Sequence, residues 1–130
     1  MFETVVIATD ASPSAERAVT AAVDLAERFD ADVHVLSVVE NDENHEQHVR
    51  TTLARLAGDL GRPVTTAVRR GNPAEVVIEY AERVGADLVA TGTRGRDSPY
   101  SYHLGSVAER IAHDCPVPVL TVRQLEHAEE

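Results

Sequence analysis

The chain has 130 residues, 43% of them hydrophobic, which is enough for one domain with its own core and too little for several. Its 22 acidic residues against 12 basic ones give a formal net charge of −10, and every basic residue is an arginine. Such a surface repels a phosphate backbone and an anionic bilayer, so no nucleic acid and no membrane insertion is expected.

Residues 4–8 form a short β-branched run that reads as a strand. Ser12-Pro13 then predicts a helix start, with Ser12 as N-cap and proline at the first helical position, where a missing N–H costs nothing. Ala18, Ala22, Leu25 and Phe29 follow with helical spacing as its apolar face. A second strand is predicted over residues 33–39. The polar run from Glu40 to His48 reads as mobile, before a helix whose face is Val49, Leu53, Leu56 and Leu60. Residues 64–68 are the third strand. Asn72-Pro73 opens the next helix, with capping-box spacing to Glu75 and an apolar face at Val77, Tyr80 and Val84. Residues 87–90 are the fourth strand. Ala108, Ile111 and Cys115 mark a last helix, for which Ser106 and Glu109 have capping-box spacing, and residues 117–122 are the fifth strand.

Strict alternation of strands and helices, with apolar first, second and fourth strands, implies an α/β fold: a parallel sheet covered by four helices on both faces in a single three-layer domain. Thr65 and Thr66 place the third strand at one edge, and Pro118, which cannot donate to a central ladder, places the fifth at the other. Right-handed crossovers then give the order 3-2-1-4-5, whose direction reverses between strands one and four, where ligands bind such sheets. The domain takes residues 1–123, and residues 124–130 are an acidic tail. No apolar run approaches a bilayer span and no basic-then-apolar leader opens the chain, so a cytoplasmic location is expected.

At the reversal point Gly92 and Gly95 are followed, after nine intervening residues, by Gly105-Ser106 at a helix start. Glycines admit anionic oxygens close to backbone N–H groups, and the helix end adds unpaired donors and partial positive charge. The same residues also suit a plain capping box, and spacing alone leaves the two readings open. Arg94 and Arg96 would give this acidic molecule a local positive field, or are two solvated loop charges.

With Gly92, Gly95, Gly105 and Ser106 at the intervals G-x2-G-x9-G-[S/T], the sequence resembles the nucleotide-binding universal stress proteins. The likeness extends through Ile7-Ala8-Thr9-Asp10 with Ser12, Gly71-Asn72-Pro73, Ala86-Asp87-Leu88-Val89 and the closing Cys115-Pro116-Val117-Pro118-Val119. The resemblance implies an ATP-type nucleotide (ATP, ADP or AMP, with or without magnesium). Its ribose and base would lie near Asp10 and Val38, and its phosphates on Gly92, Gly95, Gly105 and Ser106. Ala8, Thr9, Thr91 and Val107 would line the same pocket. It also implies a homodimer in which two fifth strands meet antiparallel through Val117, Pro118, Val119, Leu120, Thr121 and Val122. Residues 97–103 depart from the small-then-aliphatic composition usual in that family.

The expected function is therefore a stress-response regulatory protein acting through ligand-dependent conformation or partner binding. The alternatives are a dimeric regulator whose pocket is empty or holds another small anion, and a slow phosphohydrolase. No catalytic residue is assigned: there is no nucleophile elbow, no G-x-x-x-x-G-K-[ST] loop and no lysine to neutralise a transferring phosphoryl group. No protein-held metal is assigned either. His45 and His48 lack a third ligand beside them, and Asp10 would meet a cation only through a bound nucleotide. Cys115, the single cysteine, reads as packed and excludes an intrachain disulfide; His34, His103 and His113 read as structural or surface residues. Excess carboxylate without lysine matches proteins of salt-loving organisms, and GC-rich codon usage gives the same bias.

Overall fold

A computed structural model of the chain describes residues 2–13, 15–40, 42–92 and 105–123. In chain order they form β1 (Thr4–Ala8), α1 (Ala15–Arg28), β2 (Asp32–Val39), α2 (Glu43–Asp59), β3 (Thr65–Arg70), α3 (Pro73–Val84), β4 (Leu88–Gly92), α4 (Ser106–Asp114) and β5 (Val119–Val122). The strands make one parallel sheet in the order β3-β2-β1-β4-β5, as the sequence predicts. β1 is central: Val5 lies between Val33 of β2 and Leu88 of β4.

Alternation along each strand divides the core into two layers. Val5 and Ile7 of β1 pack with Val19, Val23, Val49 and Leu53 of α1 and α2. Val6 points the other way, to Val77, Tyr80 and Ile111 of α3 and α4. Ile7, Leu36, Leu53 and Ile111 are almost wholly removed from water, each stabilising the fold by roughly 1.5–3 kcal/mol relative to exposure. The second layer also holds a polar contact, since His34 Nδ1 lies 2.8 Å from the Tyr80 hydroxyl and the Arg69 guanidinium sits 5.4 Å above the Tyr80 ring. Burial raises the Tyr80 pKa and the neighbouring Arg69 charge opposes that rise.

The α3 start follows its sequence signal: the Asn72 side chain accepts a bond from the Glu75 N–H, and Pro73 opens the helix. Gly85, in the left-handed region at φ 71°, closes it. Three expectations are corrected. α1 begins at Ala15 rather than Pro13, because the carbonyls of Ser12 and Pro13 accept i+3 bonds from Ala15 and Glu16 in a tighter lead-in turn. Its buried face is Ala18, Val19, Ala22, Val23 and Ala26, while Phe29 falls past the last turn, 46% exposed, with its ring edge-on to Phe2. Of the run read as mobile, residues 43–48 form the start of α2, because Asp42 caps it by accepting from the N–H groups of Asn44 and His45. Glu46 then ties that turn to β3 through Arg70 at 2.7 Å and to the next turn through Arg50 at 2.8 Å. The hydrogen bonds from both arginines hold its carboxyl below the usual range.

Candidate functional site

Parallel strands with helices between them bring every strand's C-terminal end and every helix's N-terminus to one side of the sheet. At the centre, the Thr9 N–H bonds the Leu36 carbonyl at 2.9 Å, carrying the β1–β2 ladder one residue past the strand. The chain then turns sharply. Thr9 Oγ1 accepts from the Ala11 N–H at 3.2 Å and Asp10 Oδ1 from the Ser12 N–H at 2.9 Å, with Ala11 between them in the left-handed region at φ 63°. This fixes the Asp10 carboxylate at the point where the sheet order reverses.

The opposite wall comes from β4 and α4. Thr91 is buried beside Ala8, and β4 ends at Gly92. Gly105 is the N-cap of α4 at φ −67° and ψ 160°, makes no side-chain cap, and accepts the first helical bond from Glu109. Ser106 is therefore the first helical residue, and the capping-box reading of Ser106 and Glu109 is corrected: the backbone enters the helix one residue too early for the Ser106 hydroxyl to cap it. The first-turn amides stay without intrahelical partners, as at any helix start.

Between these walls lies a cavity of about 700 Å³. Among the described residues it is lined by Ala8, Thr9, Asp10, Val38, Thr91, Gly92, Gly105, Ser106 and Val107, so one space gathers positions spread over a hundred residues of sequence. Arg94, Gly95 and Arg96 lie outside the described residues. Of the strand-five residues, Val119 to Val122 form β5 and Val117 and Pro118 precede it; Val122 also reaches the cavity.

The structure adds a polar side that sequence reasoning missed: Glu40, Asp42 and His45, from the β2–α2 connection and the first turn of α2. The signal was available, because β2 neighbours β1 and must end on the same side of the sheet. With Asp10, the described wall carries three carboxylates, one imidazole and no arginine. His48 is exposed and does not join His45 at the cavity. No group of three or more His, Cys, Asp or Glu among the described residues could hold a metal ion. No helix among them is long and apolar enough to cross a membrane.

The family model for the universal stress protein family matches residues 1–50 and 41–123. A universal stress protein of Methanocaldococcus jannaschii is 29% identical over 95% of this chain and 84% of its own length. The fold matches a universal stress protein solved in complex with cAMP, with TM-score 0.75 and 25% identity over 95% of this chain and 98% of that one. A universal stress protein structure from Archaeoglobus fulgidus gives TM-score 0.79 at 21% identity, over 93% and 98% of the two chains. By the extent of the family match, which takes in every described element, this chain belongs to the universal stress protein family.

Proposed function

We propose that the chain is a nucleotide-binding regulatory protein of the stress response. In this reading it takes an adenine nucleotide of the ATP, ADP or AMP type in the cavity between β1, β4 and α4. Occupancy then changes the conformation or the partner affinity of a homodimer joined through β5, in the cytoplasm. Gly105 carries the reading. Its backbone is extended, a conformation open to any residue, and serine or aspartate would be the better N-cap. Neither the backbone conformation nor the cap requires glycine there, whereas close approach of a phosphate to the first-turn amides of α4 favours it. The cavity volume falls within the roughly 300–1,000 Å³ typical of small-molecule sites. The cAMP complex of a relative supports the ligand class.

In this reading Thr91, Gly92, Gly105, Ser106 and Val107 face the phosphates, with Arg94, Gly95 and Arg96 closing that side. Asp10 accepts ribose hydroxyls, and Val38 lies beside the base. Magnesium, where present, travels on the phosphates. The sequence has no lysine and no G-x-x-x-x-G-K-[ST] loop to stabilise a transferring phosphoryl group, so turnover is expected to stay below about 1 s⁻¹, the low end of ordinary enzymes. Mass spectrometry of small molecules released from the purified protein tests the assignment. An adenine nucleotide in the eluate supports it; an empty protein that also fails to take up millimolar ATP contradicts it.

A further inference from the structure

Apart from Tyr80, the buried polar residues among those described are Ser37 and Thr91, and of the two only Thr91 lines the cavity. Thr91 is the fourth residue of β4, 8% exposed, with Ala8 of β1 on one side and Thr121 of β5 on the other. Strand alternation turns its side chain to the same face as Val89, whose core layer includes Ile111 of α4. Val107 and Ala108, in the first turn of that helix, also line the cavity. Among the described residues the Thr91 hydroxyl makes one hydrogen bond, to the Gly92 carbonyl at 3.4 Å. That is beyond the roughly 2.5–3.0 Å of a well-formed O–H···O bond, so the donor is poorly used.

We infer that Thr91 is an affinity-determining residue of this site, its hydroxyl donating a hydrogen bond to an oxygen of the bound ligand. The inference rests on the nucleotide reading above and deepens it. Folding does not account for the hydroxyl, because valine has the same branched shape, suits a strand equally well and buries no polar group. A buried hydroxyl is costly until it is well bonded, and the Gly92 carbonyl is too distant to do this. A ligand that fills the cavity displaces water from this hydroxyl and must replace its bond or lose affinity. A nucleotide, rich in acceptor oxygens, can replace it.

The test combines calorimetric titration of ATP with thermal melting of the free protein, for the full chain and for Thr91→Val, Thr91→Ser and Ser37→Ala. Thr91→Val keeps the shape and removes the donor: it is expected to melt no lower than wild type and to bind ATP about 3- to 10-fold more weakly, the size of one neutral hydrogen bond. Thr91→Ser keeps the donor and loses a buried methyl: it is expected to melt lower, yet to bind within about twofold of wild type. Ser37→Ala removes a buried hydroxyl away from the cavity and is expected to leave ATP affinity unchanged. A merely structural threonine would instead make affinity follow melting temperature across the variants. That pattern, a Thr91→Val that binds like wild type, a Thr91→Ser as weak as Thr91→Val, or an equal loss in Ser37→Ala overturns the role of Thr91 while leaving the nucleotide reading in place. Absence of ATP binding by wild type at millimolar concentration overturns both.

Discussion

The Asp10 carboxylate accepts the Ser12 backbone N–H at 2.9 Å, and Ala11 bridges the two in a left-handed conformation. An L-residue pays for that conformation sterically, and Ala11 does so while buried at 9% exposure in the core beside α1. The turn therefore trades local strain for a fixed carboxylate at the reversal point of the sheet.

Substitutions at Ala11 test this. Ala11→Gly relieves the left-handed penalty but loses a buried methyl and gains chain entropy, so its stability stays within about 1 kcal/mol of wild type. Ala11→Val puts a β-branched residue in the same conformation and loses about 1–3 kcal/mol. Urea denaturation of the two variants decides it, and a Val variant as stable as wild type would remove the strain argument.

Asp87 joins the starts of two strands, its Oδ2 accepting the Glu3 and Thr4 N–H groups at 2.6 and 3.0 Å. These bonds hold its carboxyl below the usual range. A carboxyl depressed in the folded state contributes stability above its unfolded pKa, near 3.9, and that contribution disappears as pH falls through the lower folded value. Asp87→Asn is thus expected to melt below wild type at pH 7, with the gap closing below about pH 4. A gap independent of pH would place the effect elsewhere.

The edge strand gives a prediction for assembly. Val89 donates to the Pro118 carbonyl at 3.0 Å, so Pro118 presents its backbone, including the position of its missing N–H, to β4. Alternation then turns the backbone N–H groups of Val119 and Thr121 toward the open edge. Thr121→Pro removes an outward donor at an exposed residue and no bond to β4. Light scattering at about 50 micromolar should give a dimer for wild type and a monomer for the variant, with helical circular dichroism unchanged. A monomeric wild type, or a variant that remains dimeric, would contradict pairing through β5.

Much of this architecture was legible because it rests on local chemistry. Asn72-Pro73 marks a helix start with a bond spanning three residues, and the consecutive polar pair Thr65-Thr66, one on each face and both exposed, marks a strand at the edge. Ser12-Pro13 looks identical to Asn72-Pro73, yet the helix begins only at Ala15, after a turn in which the side chain of Asp10 takes the Ser12 N–H. Phe29 has helical spacing with Ala22 and Leu25, yet the helix ends at Arg28 and its ring instead meets Phe2, a partner 27 residues away in sequence. The loops after β1 and β4 were read from the sheet order, and the individual cavity residues from the resemblance to a family. Glu40, Asp42 and His45 were missed because a polar run was read as mobile, although its Asp42 cap and Glu46–Arg70 contact fold it against the site.

The central claim is that an adenine nucleotide occupies the cavity with its phosphates against Gly105 and Ser106. Calorimetric titration of ATP into wild type and the Gly105→Val, Ser106→Ala double variant at physiological salt tests it most directly. Gly105 has no positive φ, so its backbone accepts valine and the variant is expected to stay folded. The account predicts saturable binding of one ATP per chain, weakened at least about tenfold in the variant while the melting transition is retained. Equal affinity in the two proteins, or no binding by wild type at millimolar ATP, would contradict it.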